Sequence, residues 1–234
     1  MRDLYHNLVD FHAHVLPGAD HGSDSLSTSI SQLDYARAAG VDRIVATAHF
    51  YPHRHNVQSY IERRNNAYKL LKSGMVDGHP TVRLGAEVLL CNGIERLEGL
   101  GELCIHGTKS LLLELPFTDF QSDYYRSAYT LTTLGYNVIL AHADRYDPDN
   151  IKKMIDAGAK IQLNASSLVA LFPKKHLFSW LERELVVAIG SDIHMNDKSA
   201  YKRFANAKKK LGSYLDYIVS QSDSIWNEST DIIF

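Results

Sequence analysis

The chain has 234 residues, 45% of them hydrophobic, with 12 histidines and a formal net charge of -2 at neutral pH. Length and composition suit one α/β domain of roughly 200–250 residues, and a near-neutral charge excludes a global basic field for nucleic acid. No stretch approaches the roughly 20 apolar residues that span a bilayer, and the N-terminal MRDLYHNLVDF lacks an apolar signal-peptide core, so a cytoplasmic protein that is not membrane-embedded is expected.

In chain order the sequence predicts a strand over 8–12, a helix over 26–39, a strand over 43–48, a helix over 57–72 and strands over 81–87 and 110–114. A helix over 123–134, a strand over 137–142, a helix over 149–157, a strand over 160–164, a helix over 172–184, a strand over 186–191 and a helix over 198–211 follow. Asn56 or Ser59 is positioned to cap the second helix, and Pro148 to open the fourth. Gly40, Gly135 and Gly158 each follow a helix, where a left-handed C-cap is expected. The helix–Gly–strand unit recurs in AAGVDRIVATA, TLGYNVILA and DAGAKIQL, the rhythm of a parallel sheet. Seven strands fit an incomplete or distorted barrel better than a regular eight-stranded one. With no Pro-, Gly- or Ser-rich linker, residues 1–234 read as a single domain. The polar tail over 220–234, carrying Ile225, Trp226, Ile232 and Ile233, reads as a terminal helix and strap.

Five strand-like runs end in metal-ligand residues: Asp10-Phe11-His12-Ala13-His14, Thr47-Ala48-His49, Gly85-Ala86-Glu87, Leu140-Ala141-His142 and Ser191-Asp192-Ile193-His194. A sixth, Leu111 to Glu114, ends in a carboxylate. In α/β barrels the reactive groups sit at the C-terminal ends of the strands, so the pattern points to a metal cluster at one mouth. His12 and His14 lie two apart and share one face of a strand. Asp10 is expected on the same face as a carboxylate that orients them. Asp192 and His194 repeat the spacing after the last strand, and in a closed barrel the first and last strands are neighbours. Cys91 and Cys104 form no close metal pair and read as free thiols. Cysteine phosphatases place Arg after Cys and five further residues; here Arg96 follows Cys91 after four and Ser110 takes the equivalent place after Cys104, which excludes a thiol nucleophile of that type.

The stretches DFHAHVLPGADHG, RIVATAHF, RLGAEV, LLLELPF, VILAHADRY, IQLNASSL and AIGSDIH, in that order between residues 9 and 194, resemble the PHP (polymerase and histidinol phosphatase) superfamily of metal-dependent phosphoesterases. Within it the chain resembles the bacterial tyrosine-protein phosphatases of capsule and exopolysaccharide loci. The resemblance implies a distorted, TIM-like (β/α)7 barrel with a trinuclear metal centre. His12, His14, Glu87 and Asp192 would hold one ion, Glu87 would bridge to a second held by Glu114 and His142, and His21, His49 and His194 would hold a third. Asp20, adjacent to His21, is an alternative ligand. For His49 and Glu114 the competing readings are a surface imidazole in a His-rich loop and a salt-bridged strand end. Two to three divalent ions are implied, Mn first, with Fe or Zn as alternatives; imidazole and carboxylate ligands suit all three. Such ions clamp phosphate oxygens and make hydroxide available at neutral pH.

In the tyrosine-phosphatase branch the segment matching His142-Ala143-Asp144-Arg145-Tyr146 carries an Arg on the substrate phosphate, a task that suits a planar guanidinium. The competing expectation is a surface pair between Arg145 and Asp144 or Asp147. The branch's second Arg, a few residues after Asp192-Ile193-His194, has no counterpart, and Lys198, Lys202 and Arg203 are the nearest cations. Phe50, Tyr51, Phe117, Phe120, Tyr124 and Tyr146 follow strand ends and are candidate walls for a phosphotyrosine ring. The implied activity is that of a metal-dependent protein-tyrosine phosphatase. Its implied partner is a phosphotyrosine-bearing protein, the tail of an exopolysaccharide-pathway tyrosine kinase, and Arg145, His49, Asp192 and His194 are the catalytic candidates. The alternatives are a small-molecule PHP phosphatase, such as one for histidinol phosphate, and a non-catalytic PHP module of the kind attached to DNA polymerases. Self-association is left open.

Overall fold

Seven apolar runs become nine ladder segments, all paired in parallel, in a computed structural model that describes residues 9–117, 120–121 and 123–228. The elements are β1 (Val9–Ala13), α1 (Leu26–Ala38), β2 (Arg43–Ala46), β3 (His49–Phe50), α2 (Val57–Gly74), β4 (Thr81–Leu84), β5 (Glu87–Leu89) and β6 (Ser110–Glu114). They continue with α3 (Asp123–Thr133), β7 (Asn137–Leu140), α4 (Pro148–Asp156), β8 (Lys160–Asn164), α5 (Ala165–Leu168), α6 (Lys175–Glu182), β9 (Val186–Gly190), α7 (Lys198–Leu211) and α8 (Tyr214–Asn227). One sheet has the order β1-β2-β4 and the other β3-β5-β6-β7-β8-β9. Strands such as β6 and β9 are buried at every residue, as expected where helices cover a parallel sheet.

The two sheets are one array interrupted twice. The run over 43–48 breaks at Thr47–Ala48 and the run over 81–87 breaks at Gly85–Ala86. Hydrogen bonds bridge the breaks: Thr47 N–H to Ala13 C=O (3.0 Å), Gly85 N–H to Ala46 C=O (2.9 Å) and Glu87 N–H to Ala48 C=O (3.2 Å). Helix α2 serves the carbonyls at the breaks. Tyr60 donates its hydroxyl to Ala48 C=O at 2.7 Å, as a second donor beside Glu87 N–H, and Arg64 donates to Gly85 C=O at 3.3 Å, which satisfies that buried acceptor. The breaks fall directly before His49 and Glu87. At the ends of the array, Asp192 N–H donates to His12 C=O (2.8 Å) and His14 N–H to Ile193 C=O (3.3 Å), which brings the ends of β1 and β9 together.

Helix ends follow the local chemistry. Asn56, rather than Ser59, caps α2 by accepting from Ser59 N–H. Pro148 opens α4 behind an Asp147 cap. Gly40, Gly135 and Gly158 take positive φ as expected. The helix expected over 172–184 starts only at Lys175, because Pro173 disfavours the helical region for Phe172. The tail supplies α8, whose Ile225 and Trp226 complete a buried cluster with Val9, Phe11, Val45, Leu112, Ile139 and Val187. Leu8 of the first predicted strand, and Ile232 and Ile233 of the predicted strap, lie outside the described residues.

Candidate metal centre

Strand ends deliver the ligand-type side chains to one buried cluster. The Nε2 atoms of His12 and His14 lie 3.0 Å apart. Glu87, buried at the start of β5, sits among four imidazoles. Its Oε2 lies 3.1 Å from His12 Nε2, 3.3 Å from His14 Nε2 and 3.0 Å from His49 Nδ1, and its Oε1 lies 2.7 Å from His142 Nε2. Asp192 Oδ1 is 3.6 Å from His12 Nε2 and 3.5 Å from His14 Nε2. Glu114 reaches to 3.8 Å from His49 Nδ1 and 3.9 Å from His142 Nε2. The His21 ring stacks 4.8 Å from that of His49 and lies 4.8 Å from that of His194, which is 4.2 Å from that of His14. Three sets have their ligand atoms within 4.8 Å of one another: His12, His14 and Glu87; His49, Glu87 and Glu114; and His14, His49 and His194. His142 and Asp192 join this cluster through Glu87 and the His12–His14 pair, and His21 joins it through ring contacts.

Outer hydrogen bonds fix the rings. His12 Nδ1 donates to Gln162 Oε1 (3.2 Å), which also accepts His142 N–H (2.7 Å). Gln162 Nε2 donates to Asn164 Oδ1 (3.1 Å), and Asn164 Nδ2 donates to Asp192 Oδ2 (3.1 Å). One amide pair on β8 therefore links three candidate ligands. The available signal was two polar side chains in the otherwise apolar strand IQLN, an unusual choice where both faces are buried. Asp20 accepts from His14 Nδ1 (2.8 Å) and from the backbone N–H of His49 (2.9 Å) and Gly22 (2.8 Å). It acts as a brace for His14, while the His21 ring faces His49 and His194.

Asp10 does not orient the imidazoles as expected. Its Oδ1 accepts the backbone N–H of His12 (3.2 Å) and Ser191 (2.8 Å), and its Oδ2 accepts the Tyr201 hydroxyl (2.9 Å). The carboxylate ties β1 to the end of β9 through backbone amides and to α7 through the Tyr201 hydroxyl, and burial pushes its pKa up to about 6. Two glycines permit the close approach. A Cβ on Gly22 would lie 2.0 Å from His14 Cβ, and one on Gly190 would lie 2.5 Å from His12 Cβ. His142 (φ 34°) and Asp192 (φ 51°) adopt the left-handed region without being glycine, a strain of order 1–3 kcal/mol that the surrounding contacts must offset.

Electrostatics balance acids against imidazoles. Burial would lower the pKa of His12, but Glu87 and Asp192 hold it above the ordinary imidazole value. Burial is likewise outweighed at His14 by Asp20, Asp192 and Glu87. Burial opposes ionisation of Asp192, yet His12, His14 and Arg145 hold it well below the carboxylate range. Glu114 goes the other way, up to about 7, through burial and repulsion from Glu87. His194 is lowered to about 4 by burial and by the neighbouring His14. Glu87 Oε2, His49 Nδ1 and His142 Nδ1 are buried without a hydrogen-bond partner. Glu87 Oε2 and His49 Nδ1 are 3.0 Å apart but not in hydrogen-bonding geometry with each other. The converging lone pairs of Glu87 Oε2 and His49 Nδ1, buried without donors, are what a divalent cation satisfies, so the donor set fits a metal cluster.

At the rim, Arg145 pairs with Asp192 and keeps 39% of its side-chain surface exposed. It does not form the surface pairs considered with Asp144 or Asp147: Asp144 accepts from Asn164 N–H and Asp147 caps α4. Two cations considered as a second phosphate ligand are engaged elsewhere. Arg203 binds Asp197 (2.7 Å), and Lys198 lies over the Tyr35 ring (5.7 Å). The aromatics divide. Phe50 and Tyr124 are buried core residues, and Phe120 packs edge-on to Tyr124. Tyr51 stacks 5.2 Å from His49, and Phe117 lies 6.4 Å from His142 and 5.7 Å from Tyr146, whose hydroxyl is tied to Leu115 C=O. Both cysteines are free, and burial raises the pKa of each.

Comparisons with known proteins agree with this architecture. Residues 8–221 match the family model described as capsular polysaccharide synthesis, CpsB/CapC. The chain is 28% identical to the tyrosine-protein phosphatase YwqE of Bacillus subtilis over 233 residues, covering 92% of this chain and 89% of YwqE. It is 25% identical to the tyrosine-protein phosphatase CpsB of Streptococcus pneumoniae over 210 residues, covering 81% of this chain and 84% of CpsB. A crystal structure from work on YwqE and CpsB, described there as metal-dependent tyrosine phosphatases, has the same fold, with a TM-score of 0.74 at 24% identity, covering 95% of this chain and 96% of that one.

Proposed function

The chain belongs to the CpsB/CapC family of capsular polysaccharide synthesis, and from that premise we propose that it is a metal-dependent protein-tyrosine phosphatase built on a single domain. The observation that carries the reading is the buried four-imidazole cage around Glu87, with unpartnered ligand atoms and Arg145 at its rim. In this reading the parallel array curls into a distorted (β/α)7 barrel, with the ends of β1 and β9 meeting at His12 and Asp192.

His12, His14, Glu87 and Asp192 hold one divalent ion. Glu87, Glu114 and His142 hold a second, and His21, His49 and His194 a third; Mn is the first candidate, then Fe or Zn. When bound, such ions supply a positive clamp for phosphate oxygens and lower the pKa of a water so that it can act as nucleophile at neutral pH. The protein's own contribution is positioning. Gln162, Asn164 and Asp20 keep imidazole and carboxylate donors aimed inward, which preserves their geometry when substrate arrives. Arg145 moves from Asp192 to two oxygens of the phosphate and neutralises the charge that builds as the phenolate departs. His49, Asp192 and His194 act through the ions they hold. The burial of the cage limits bulk water around the reacting phosphate.

The substrate proposed is phosphotyrosine on a protein, in particular the tail of an exopolysaccharide-pathway tyrosine kinase, met in the cytoplasm; no described helix is long and apolar enough to cross a membrane. The test compares turnover of a phosphotyrosine peptide and of histidinol phosphate, with and without chelator. The expected result is chelator-sensitive turnover favouring the peptide. Faster turnover of histidinol phosphate would replace the reading with a small-molecule phosphatase, and full activity in metal-free protein would remove the metal mechanism.

A further inference from the structure

The loop from β8 to α6 exposes two adjacent large apolar side chains. Leu171 is 87% and Phe172 86% exposed, more than the other large apolar residues seen at the surface. Single exposed apolar residues are ordinary, but contiguous ones carry a solvation cost and mark contact surfaces.

Their place in the fold says what they contact. Strands β6, β7 and β8 are successive neighbours, so the loops that follow them stand side by side at one mouth. They carry, in order, Phe117, Arg145 and the Leu171–Phe172 pair. The last loop is pinned at both ends beside Arg145: Asn164 N–H donates to Asp144 Oδ1 and Lys174 Nζ donates to Asp144 C=O, each at 2.8 Å. Phe117 is itself 68% exposed and stacks toward His142. The loop of Arg145 is thus flanked by one loop that carries an aromatic face and by another that carries an apolar tip. Residues 165–176 contain Lys174 and Lys175 and no carboxylate, and Lys175 is exposed. Lys174 is tied to Asp144 and Asp147 lies near His176, so Lys175 is the cation beside the apolar pair that can meet a carboxylate of an incoming chain.

We propose that Leu171 and Phe172 form a docking hook that takes an apolar side chain lying a few residues from the phosphotyrosine of an acidic polypeptide, with Lys175 facing its carboxylates. The inference rests on the phosphatase reading and adds the sequence character of the substrate. An extended chain advances about 3.3 Å per residue, so residues flanking a phosphotyrosine at Arg145 sweep across the neighbouring loops.

The experiment uses a phosphotyrosine peptide with Leu and Glu flanks, the same peptide with Gly and Ser flanks, and p-nitrophenyl phosphate. Burial of one apolar side chain predicts about a tenfold or greater preference in kcat/KM for the Leu/Glu peptide. L171S/F172S should erase that preference through KM and leave p-nitrophenyl phosphate turnover and Tm at wild-type values. Lys175→Glu should raise KM for the acidic peptide alone. Retained discrimination in L171S/F172S overturns the hook. So does a change of oligomeric state in that variant by sedimentation, with peptide kinetics intact, which would assign the tip to a second copy of the chain. Loss of binding to anionic vesicles with peptide kinetics intact would assign it to a lipid surface and overturn the hook as well. Binding of the labelled Leu/Glu peptide, followed by anisotropy, judges the hook separately from turnover. Hook-dependent binding without p-nitrophenyl phosphate turnover would keep the hook and reject the phosphatase reading.

Discussion

Gln162→Leu probes the device that aims the candidate ligands. The substitution keeps the buried side-chain volume nearly constant and removes an acceptor shared by His12 Nδ1 at 3.2 Å and His142 N–H at 2.7 Å. It also unlinks Asn164, the donor to Asp192. Outer partners of ligating imidazoles typically carry about 10- to 100-fold in metal affinity, so Mn affinity should fall by about tenfold or more. The His142 N–H, buried with its acceptor gone, should lower the stability of the metal-stripped protein by about 1–3 kcal/mol. Competition with a fluorescent chelator reads the first effect and urea unfolding of stripped protein the second. Wild-type affinity in a destabilised variant would refute the reasoning, because Gln162 would then support the fold without aiming the rings.

Metal affinity should rise with pH through the neutral range. His12 and His14 are held above the ordinary imidazole pKa by carboxylates, so protons compete for these nitrogens below those raised values and metal entry must release them. Titration calorimetry in buffers of differing ionisation enthalpy should show proton release, and affinity unchanged between pH 6 and 8 would contradict it. Arg145→Ala should keep its metal, by elemental analysis, while turnover falls about 10²–10³-fold, the usual cost of one oxyanion donor; His12→Ala, Glu87→Ala and Asp192→Ala should lose metal and turnover together. Gly190→Ala sets a Cβ 2.5 Å from His12 Cβ and 2.7 Å from Gln162 Nε2. It should cost about 1–3 kcal/mol by overpacking and weaken metal binding, and an unchanged Tm would show that β9 shifts freely.

Strands β6 and β8 occupy the ranges read from their apolar runs, because a parallel strand buried on both faces has few other ways to appear in a sequence. The breaks at Thr47–Ala48 and Gly85–Ala86 were not readable. The carbonyls beside them are met by Tyr60 and Arg64, which reach Ala48 and Gly85 from α2 and carry no local mark of that task. The ligand-type residues announce themselves by type and spacing, and the structure gathers them. Their supports do not announce themselves. Asp10 shares the spacing of His12 and His14 but turns to backbone amides and Tyr201, whereas the His12 ring is held by Gln162 from a strand 150 residues later and the His14 ring by Asp20 from the loop that follows β1. Spacing within a strand finds the first set, and loop conformation together with pairing between distant strands creates the second.

The meeting of the ends of β1 and β9 has a consequence for the protein during its synthesis. His12 and His14 are made well before Asp192, which completes their surroundings and is reached only after the eight further ladder segments β2 to β9. The ladder can grow in order of emergence, since β1-β2-β4 and then β5 through β9 pair successively. Of the carboxylates around these two histidines only Asp20, the brace of His14, is made close behind them, so both rings remain open to stray metal until Glu87 and finally Asp192 arrive. Closure at residue 192 is thus a late event, and a nascent chain stalled before it would carry a cation in an unfinished cage.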